Sequence, residues 1–139
     1  MKFMVDQRKE YVVRRKDLLY PELSFKINGV LIEVFKQLGG GHRESYYQKG
    51  VAAGLTKEKL KFEEQYYVPL KCFDSTVGKY YLDFLIDDKI ILELKRGQFV
   101  SAQVITQTKQ YLVALNLKLA IVACFTHSGV VIKRVVNEY

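Results

Sequence analysis

With 139 residues the chain can build one compact domain with a real core, but not two ordinary ones. Apolar residues at 49% and charged residues at 27% exclude wholesale disorder, and no apolar run approaches the ~20 residues of a membrane-spanning helix. Lys plus Arg number 22 against 15 Asp plus Glu, a formal charge of +7 that favours a polyanionic partner without specifying a fold.

That charge is uneven. Residues 1–17 carry six basic and three acidic side chains, so residues 1–20 read as a basic arm ahead of a single domain over 21–139. The basic start has neither the apolar segment nor the small-residue cleavage site of a secretory signal. Cys72 and Cys124 are isolated in apolar, strand-like stretches. The expectation is two buried, reduced thiols in a cytoplasmic compartment.

From Glu22, the residues Leu23, Ile27, Val30, Leu31, Val34 and Leu38 fall on one stripe at three-to-four spacing, which predicts an amphipathic helix. Pro21 suits its first turn and Gly39-Gly40-Gly41 ends it. Gly29 within it suggests a close backbone approach. A second helix is expected from about His42 to Leu55, with Tyr47, Val51 and Leu55 facing inward and Glu44 at its head.

The period then becomes strand-like. Phe62 to Phe73 is aromatic and β-branched, with Pro69 pointing to an edge strand or a bulge. Ser75-Thr76-Val77-Gly78 reads as a turn. Lys79–Ile86 and Ile90–Lys95 are two strong strands joined through Asp87-Asp88-Lys89, an evident hairpin. Ser101 caps a helix to about Leu115, Leu117–Phe125 is a strand buried on both faces, and Val130–Val136 is a last strand. The order α-α-β-β-β-α-β-β predicts an α/β sandwich around a mixed sheet.

The hairpin carries the chemistry. Asp83 stands among apolar neighbours on one strand, and Glu93 and Lys95, two apart, share one face of the next. A three-residue loop pairing Ile86 with Ile90 makes Asp83 and Glu93 face each other. A two-residue loop sends them to opposite faces. Facing carboxylates repel, and a divalent cation relieves that cost; Mg²⁺ takes one or two carboxylates, with waters and phosphate oxygens completing its shell. A lysine one step along could stabilise the attacking hydroxide and neutralise charge on a phosphate. The alternative is a structural ion pair of Lys95 with either acid. Glu44 in a first helical turn suits the helix dipole. Gln107, four before Tyr111, lies on the largely apolar face of the third helix.

The stretch Gly41-His42-Arg43-Glu44-Ser45-Tyr46-Tyr47 resembles the pattern of the GxxExxY proteins, a branch of the PD-(D/E)XK nuclease superfamily. The resemblance runs from about Pro21 to Phe125, through Ile32-Glu33-Val34, Tyr81-Leu82-Asp83-Phe84-Leu85, Ile91-Leu92-Glu93-Leu94-Lys95 and Gln107 to Leu112. It departs at Phe35, Arg43, Ala120 and Cys124. It implies a restriction-endonuclease-like core, αβββαβ, whose central mixed sheet is flanked by helices, with an extra helix before it and a strand after it. It also implies Asp83 and Glu93 as metal ligands, Glu44 as a helix-borne acid near the metal, Lys95 as catalytic lysine and Gln107 as supporting glutamine.

The expected function is therefore a nuclease dependent on Mg²⁺ or Mn²⁺ and acting on DNA or RNA. A nucleic-acid-binding or protein-interaction module without catalysis is the alternative, and a regulatory subunit docking by its basic arm a third. Nucleic acid is the expected partner, a membrane is not, and a protein partner or homodimer is left open. Among the tyrosine pairs 46/47, 66/67 and 80/81, at least half should pack in the core or on the sheet, and the others could stack on single-stranded nucleic acid.

Overall fold

The computed structural model of the chain describes residues 19–138; most of the expected basic arm, residues 1–18, lies outside them. Helix α1 spans Pro21–Leu38, with Pro21 in its first turn and Gly39 at its end, where the Gly39 N–H donates to the Phe35 carbonyl at φ 77°. Helix α2 spans Glu44–Lys57, starting two residues later than expected. Strands β1, Phe62–Cys72, and β2, Ser75–Ile86, form a long hairpin, followed by β3 over Ile90–Arg96. Helix α3, Ala102–Leu115, starts at Ser101, whose hydroxyl oxygen accepts from the Val104 N–H as predicted. Strands β4, Leu119–Phe125, and β5, Val130–Val136, complete the chain.

The sheet order is β1-β2-β3-β4-β5, with β3 and β4 parallel and the other neighbours antiparallel. A parallel pair needs a crossover, and α3 supplies it. Every residue of β4 is buried, because alternate side chains enter two cores. On one face Leu119, Ile121, Ala123 and Phe125 meet Ile27, Leu31, Val51 and Leu55 of α1 and α2. On the other, Ala120 and Val122 meet Tyr111 and Leu112 of α3. This is the mixed-sheet α/β architecture that the element order predicts. Arg134 of β5 fastens the start of α1, donating to the Ser24 hydroxyl and the Leu19 carbonyl, each at 3.1 Å.

Four expectations need correction. The β1–β2 turn is Phe73-Asp74, both at positive φ (52° and 62°), and Ser75–Gly78 is strand. Asp tolerates that conformation; Phe disfavours it, which hides the turn in the sequence. Cys72 beside that tip is exposed, whereas Cys124 is buried. Gly29 has open space around it, with nothing within 4 Å of where a Cβ would sit. The fourth strand begins at Leu119 and not at Leu117. Pro69, by contrast, lies on an edge strand next to a register shift at Leu70/Lys71, as its missing N–H requires.

Candidate active site

The β2–β3 hairpin turns through Asp87 and Asp88, both left-handed (φ 54° and 56°), with the Lys89 N–H donating to the Ile86 carbonyl at 3.0 Å. Ile86 pairs with Ile90, Leu85 with Ile91 and Phe84 with Leu92. This is the three-residue register. One step further Asp83 and Glu93 stand opposite each other, and there the ladder changes character. The Asp83 N–H donates to Glu93 Oε2 at 3.0 Å, and the Leu94 N–H donates to Asp83 Oδ2 at 2.7 Å. Two carboxylates thus take the place of backbone carbonyls where the strands part.

The parting has a visible origin in β1. Glu64 pairs with Phe84 and Tyr66 with Leu82, while Gln65, between them, sits at φ 50° opposite Asp83. Residues two apart on a regular strand share a face. Here Leu82 joins the α3 core and Phe84 joins the α1/α2 core, so β2 rotates at Asp83.

Both acids are held out of water. Glu93 is 7% exposed and Asp83 half-buried. Burial, then the Asp83 charge, push Glu93 up to about 8, against opposing pulls from the Asp83 N–H and Lys95. Burial also raises Asp83, and Glu44 adds to it, while the Leu94 N–H, Lys95 and the Gln65 side chain act the other way. Lys95 is half-buried and forms no ion pair among the described residues, so the structural ion-pair alternative finds no support there. Its field nevertheless reaches both acids.

Glu44 is exposed at the start of α2, and its Oε2 accepts the Arg96 N–H at 3.1 Å, tying the helix to the end of β3. One turn on, Gln48 Nε2 donates to the Asp83 carbonyl at 3.3 Å. Gln107 is half-buried on α3 and no hydrogen bond joins it to the acids. Tyr111, one turn beyond it, does feel both: burial first, then Glu93, push its hydroxyl up to about 12. Among the described residues no three His, Cys, Asp or Glu side chains converge as a ready metal cage.

The donor set nonetheless fits a hard divalent cation. One buried and one half-buried carboxylate, both opposed in their ionisation by burial, Glu93 also by Asp83 and Asp83 also by Glu44, are what such an ion would relieve, and Mg²⁺ needs no third protein ligand. Tyr111, Gln48 and Gln65 were not singled out for the site from sequence. Tyr111 could have been found by its four-residue spacing from Gln107, but nothing in the sequence signals a left-handed Gln65.

The glycines ahead of Glu44 hold the loop that aims it. Tyr47, buried under Phe125 with ring centroids 4.1 Å apart, donates its hydroxyl to the Gly39 carbonyl at 2.7 Å. A Cβ on Gly40 would lie 2.7 Å from His127 Cα and 2.8 Å from the Thr126 carbonyl oxygen. Gly40→Ala is therefore expected to destabilise the fold by about 1–3 kcal/mol, seen as a lower denaturant midpoint at unchanged slope.

A splayed strand pair with opposed acids, set in this five-stranded mixed sheet between helices, defines a restriction-endonuclease-like fold. The chain belongs to the PD-(D/E)XK nuclease superfamily, whose sequence model matches residues 21–135. Nucleases of that superfamily generally use divalent metals. No curated protein sequence matches the chain. Among solved structures it resembles the crystal structure of SSO0001 with a TM-score of 0.54 at 14% identity, over 69% of this chain. It spans about half, 52%, of that protein's chain, and the likeness is one of fold. Among the described residues no helix is long and apolar enough to cross a membrane.

Proposed function

We propose that the chain is a divalent-metal-dependent nuclease of the GxxExxY branch, hydrolysing phosphodiester bonds of DNA or RNA. The observation that carries this reading is the pair Asp83 and Glu93, opposed where β2 and β3 part, with Lys95 on the same face of β3. Gly41, Glu44 and Tyr47 supply the branch's spacing.

Asp83 and Glu93 would hold Mg²⁺ or Mn²⁺, with Glu44 acting directly or through water. When bound, such an ion supplies Lewis-acid polarisation of the phosphate and a more acidic water. The chain's own residues do the rest. The Asp83 and Leu94 N–H groups fix one oxygen of each carboxylate, so the acids are oriented before anything binds. Lys95, without a competing ion pair among the described residues, offers three donors to a non-bridging phosphate oxygen and offsets the charge that builds as the bond breaks. Gln107 lies one helical turn before Tyr111 and supplies an amide that can position the attacking water. The basic surplus of the chain draws the polyanion in.

The test is cleavage of labelled DNA and RNA with Mg²⁺ or Mn²⁺, comparing wild type with Lys95→Ala. Wild type should cut at least one substrate form, and the variant should be slower by about 100-fold or more. If wild type cuts none of them, or both cut equally, the domain is a binding module and the catalytic reading falls.

A further inference from the structure

Residues 75–82 of β2 pair with β1 alone, because the β2–β3 ladder begins only at Phe84. The two faces of this ribbon have different surroundings. Tyr66, Val68, Tyr80 and Leu82 pack with the α3 core. The opposite face presents Tyr67 and Tyr81, direct partners in the register, with ring centroids 5.7 Å apart. They are 47% and 50% exposed. Lys79 Nζ stands 5.9 Å from the centroid of the Tyr81 ring.

Aromatic pairs across strands are ordinary sheet-surface contacts. Two features set this one apart. Over residues 65–82 the charged side chains are Lys71 and Lys79 against Asp74 alone, so the rings sit in a locally cationic ribbon. Tyr81 also precedes Asp83 by two residues on the same strand, a step of about 7 Å. The rings therefore lie beside the acid pair along the strand, although β2 rotates between them.

We propose that Tyr67, Tyr81 and Lys79 form a base-stacking platform that holds single-stranded nucleic acid and delivers it to Asp83 and Glu93. Unpaired bases have a free face to stack on an aromatic ring whatever their sequence, whereas bases within a duplex are already stacked on each other. Lys79 adds a phosphate contact beside the ring. The platform makes unpaired or flayed strands the preferred substrate. The identity of the polymer rests on the nuclease reading above, but the platform is tested by binding alone.

The full chain is titrated into a labelled oligothymidylate and into a labelled blunt duplex, in a chelator so that nothing is cut. Replacing both rings (Tyr67→Leu with Tyr81→Leu) should weaken oligothymidylate binding by about 5- to 100-fold while changing duplex binding less than about twofold. The corresponding Phe pair should bind like wild type. Lys79→Gln should lower the slope of log affinity against log salt by about 0.7. The chain contains no Trp, so Tyr81→Trp introduces a unique emission that the oligonucleotide should quench. This variant decides the matter even where the Leu pair fails to fold.

An unquenched emission at saturating oligonucleotide, equal loss of single-strand and duplex binding in the Leu pair, or no oligothymidylate binding by wild type overturns the platform. Binding without any cleavage in Mg²⁺ would leave the platform standing and remove the nuclease. Duplex cleavage without single-strand binding would do the reverse.

Discussion

Glu93→Gln should abolish cleavage and yet give a more stable protein at pH 8 in the absence of divalent ions. The substitution keeps a side-chain oxygen to accept the Asp83 N–H, so the bond that joins the parted strands survives. It removes a carboxylate whose ionisation is opposed by burial and by Asp83. A buried charge that lacks its counterion costs stability, and a neutral isostere does not carry that cost. The expected gain is about 1–3 kcal/mol, read as a higher melting temperature in chelator. On the proposed nuclease reading, in which Glu93 would be a cation ligand, activity should drop by about 1000-fold, since the ligand and its negative charge are lost together. On the same reading Mg²⁺ should raise the melting temperature of wild type, and the variant should lose that rise. A variant less stable than wild type at pH 8, or one that still cuts, would make Glu93 a structural acid instead.

Wild type itself should lose stability as pH rises from 5 to 8 in chelator. Glu93 ordinarily titrates at 4.5 and is pushed up to about 8 in the folded protein. Between those values the folded state keeps a proton that the unfolded chain has released, so each rise in pH favours unfolding. Below the window both states are protonated, and above it both are ionised; the stabilisation is whole at low pH and gone past about 8. The upper limit is about 5 kcal/mol, from 1.36 kcal/mol for each unit of displacement. Asp83, also raised, works in the same direction. Saturating Mg²⁺ should flatten the profile, because an ion that binds the ionised pair stabilises the folded form most where the protons have left. Denaturant unfolding across this range, with and without Mg²⁺, checks both statements. A profile that rises between pH 5 and 8 in chelator would mean that the acids are satisfied without a cation.

The sequence narrowed the hairpin register to a three-residue or a two-residue loop without choosing between them; the structure has the former, with Asp87 and Asp88 in left-handed backbone and Ile86 and Ile90 in the same core. That register is what sets Asp83 against Glu93. The caps at Gly39 and Ser101 and the doubly buried β4 followed from equally local chemistry. The rotation of β2 at Asp83 was not legible, since it originates in a left-handed Gln65 on another strand, a conformation that glutamine has no preference for. The tip at Phe73 was hidden for the same reason. Exposure of Cys72 follows from that tip, because residues beside a two-residue turn on a ribbon end have no second layer to cover them. Gln107 could be placed on a face from its spacing, but spacing does not tell which partner, if any, a side chain meets there.

One turn of α2 bridges the opening between the parted strands. Glu44 reaches the end of β3 through the Arg96 N–H, and Gln48 reaches β2 through the Asp83 carbonyl. Four residues of helix rise about 6 Å, whereas paired strands lie about 4.8 Å apart. The helix therefore works as a spacer gauge. The opening that begins at Gln65 in β1 is thus braced from outside the sheet, with one helical turn hydrogen-bonded to both of the parted strands.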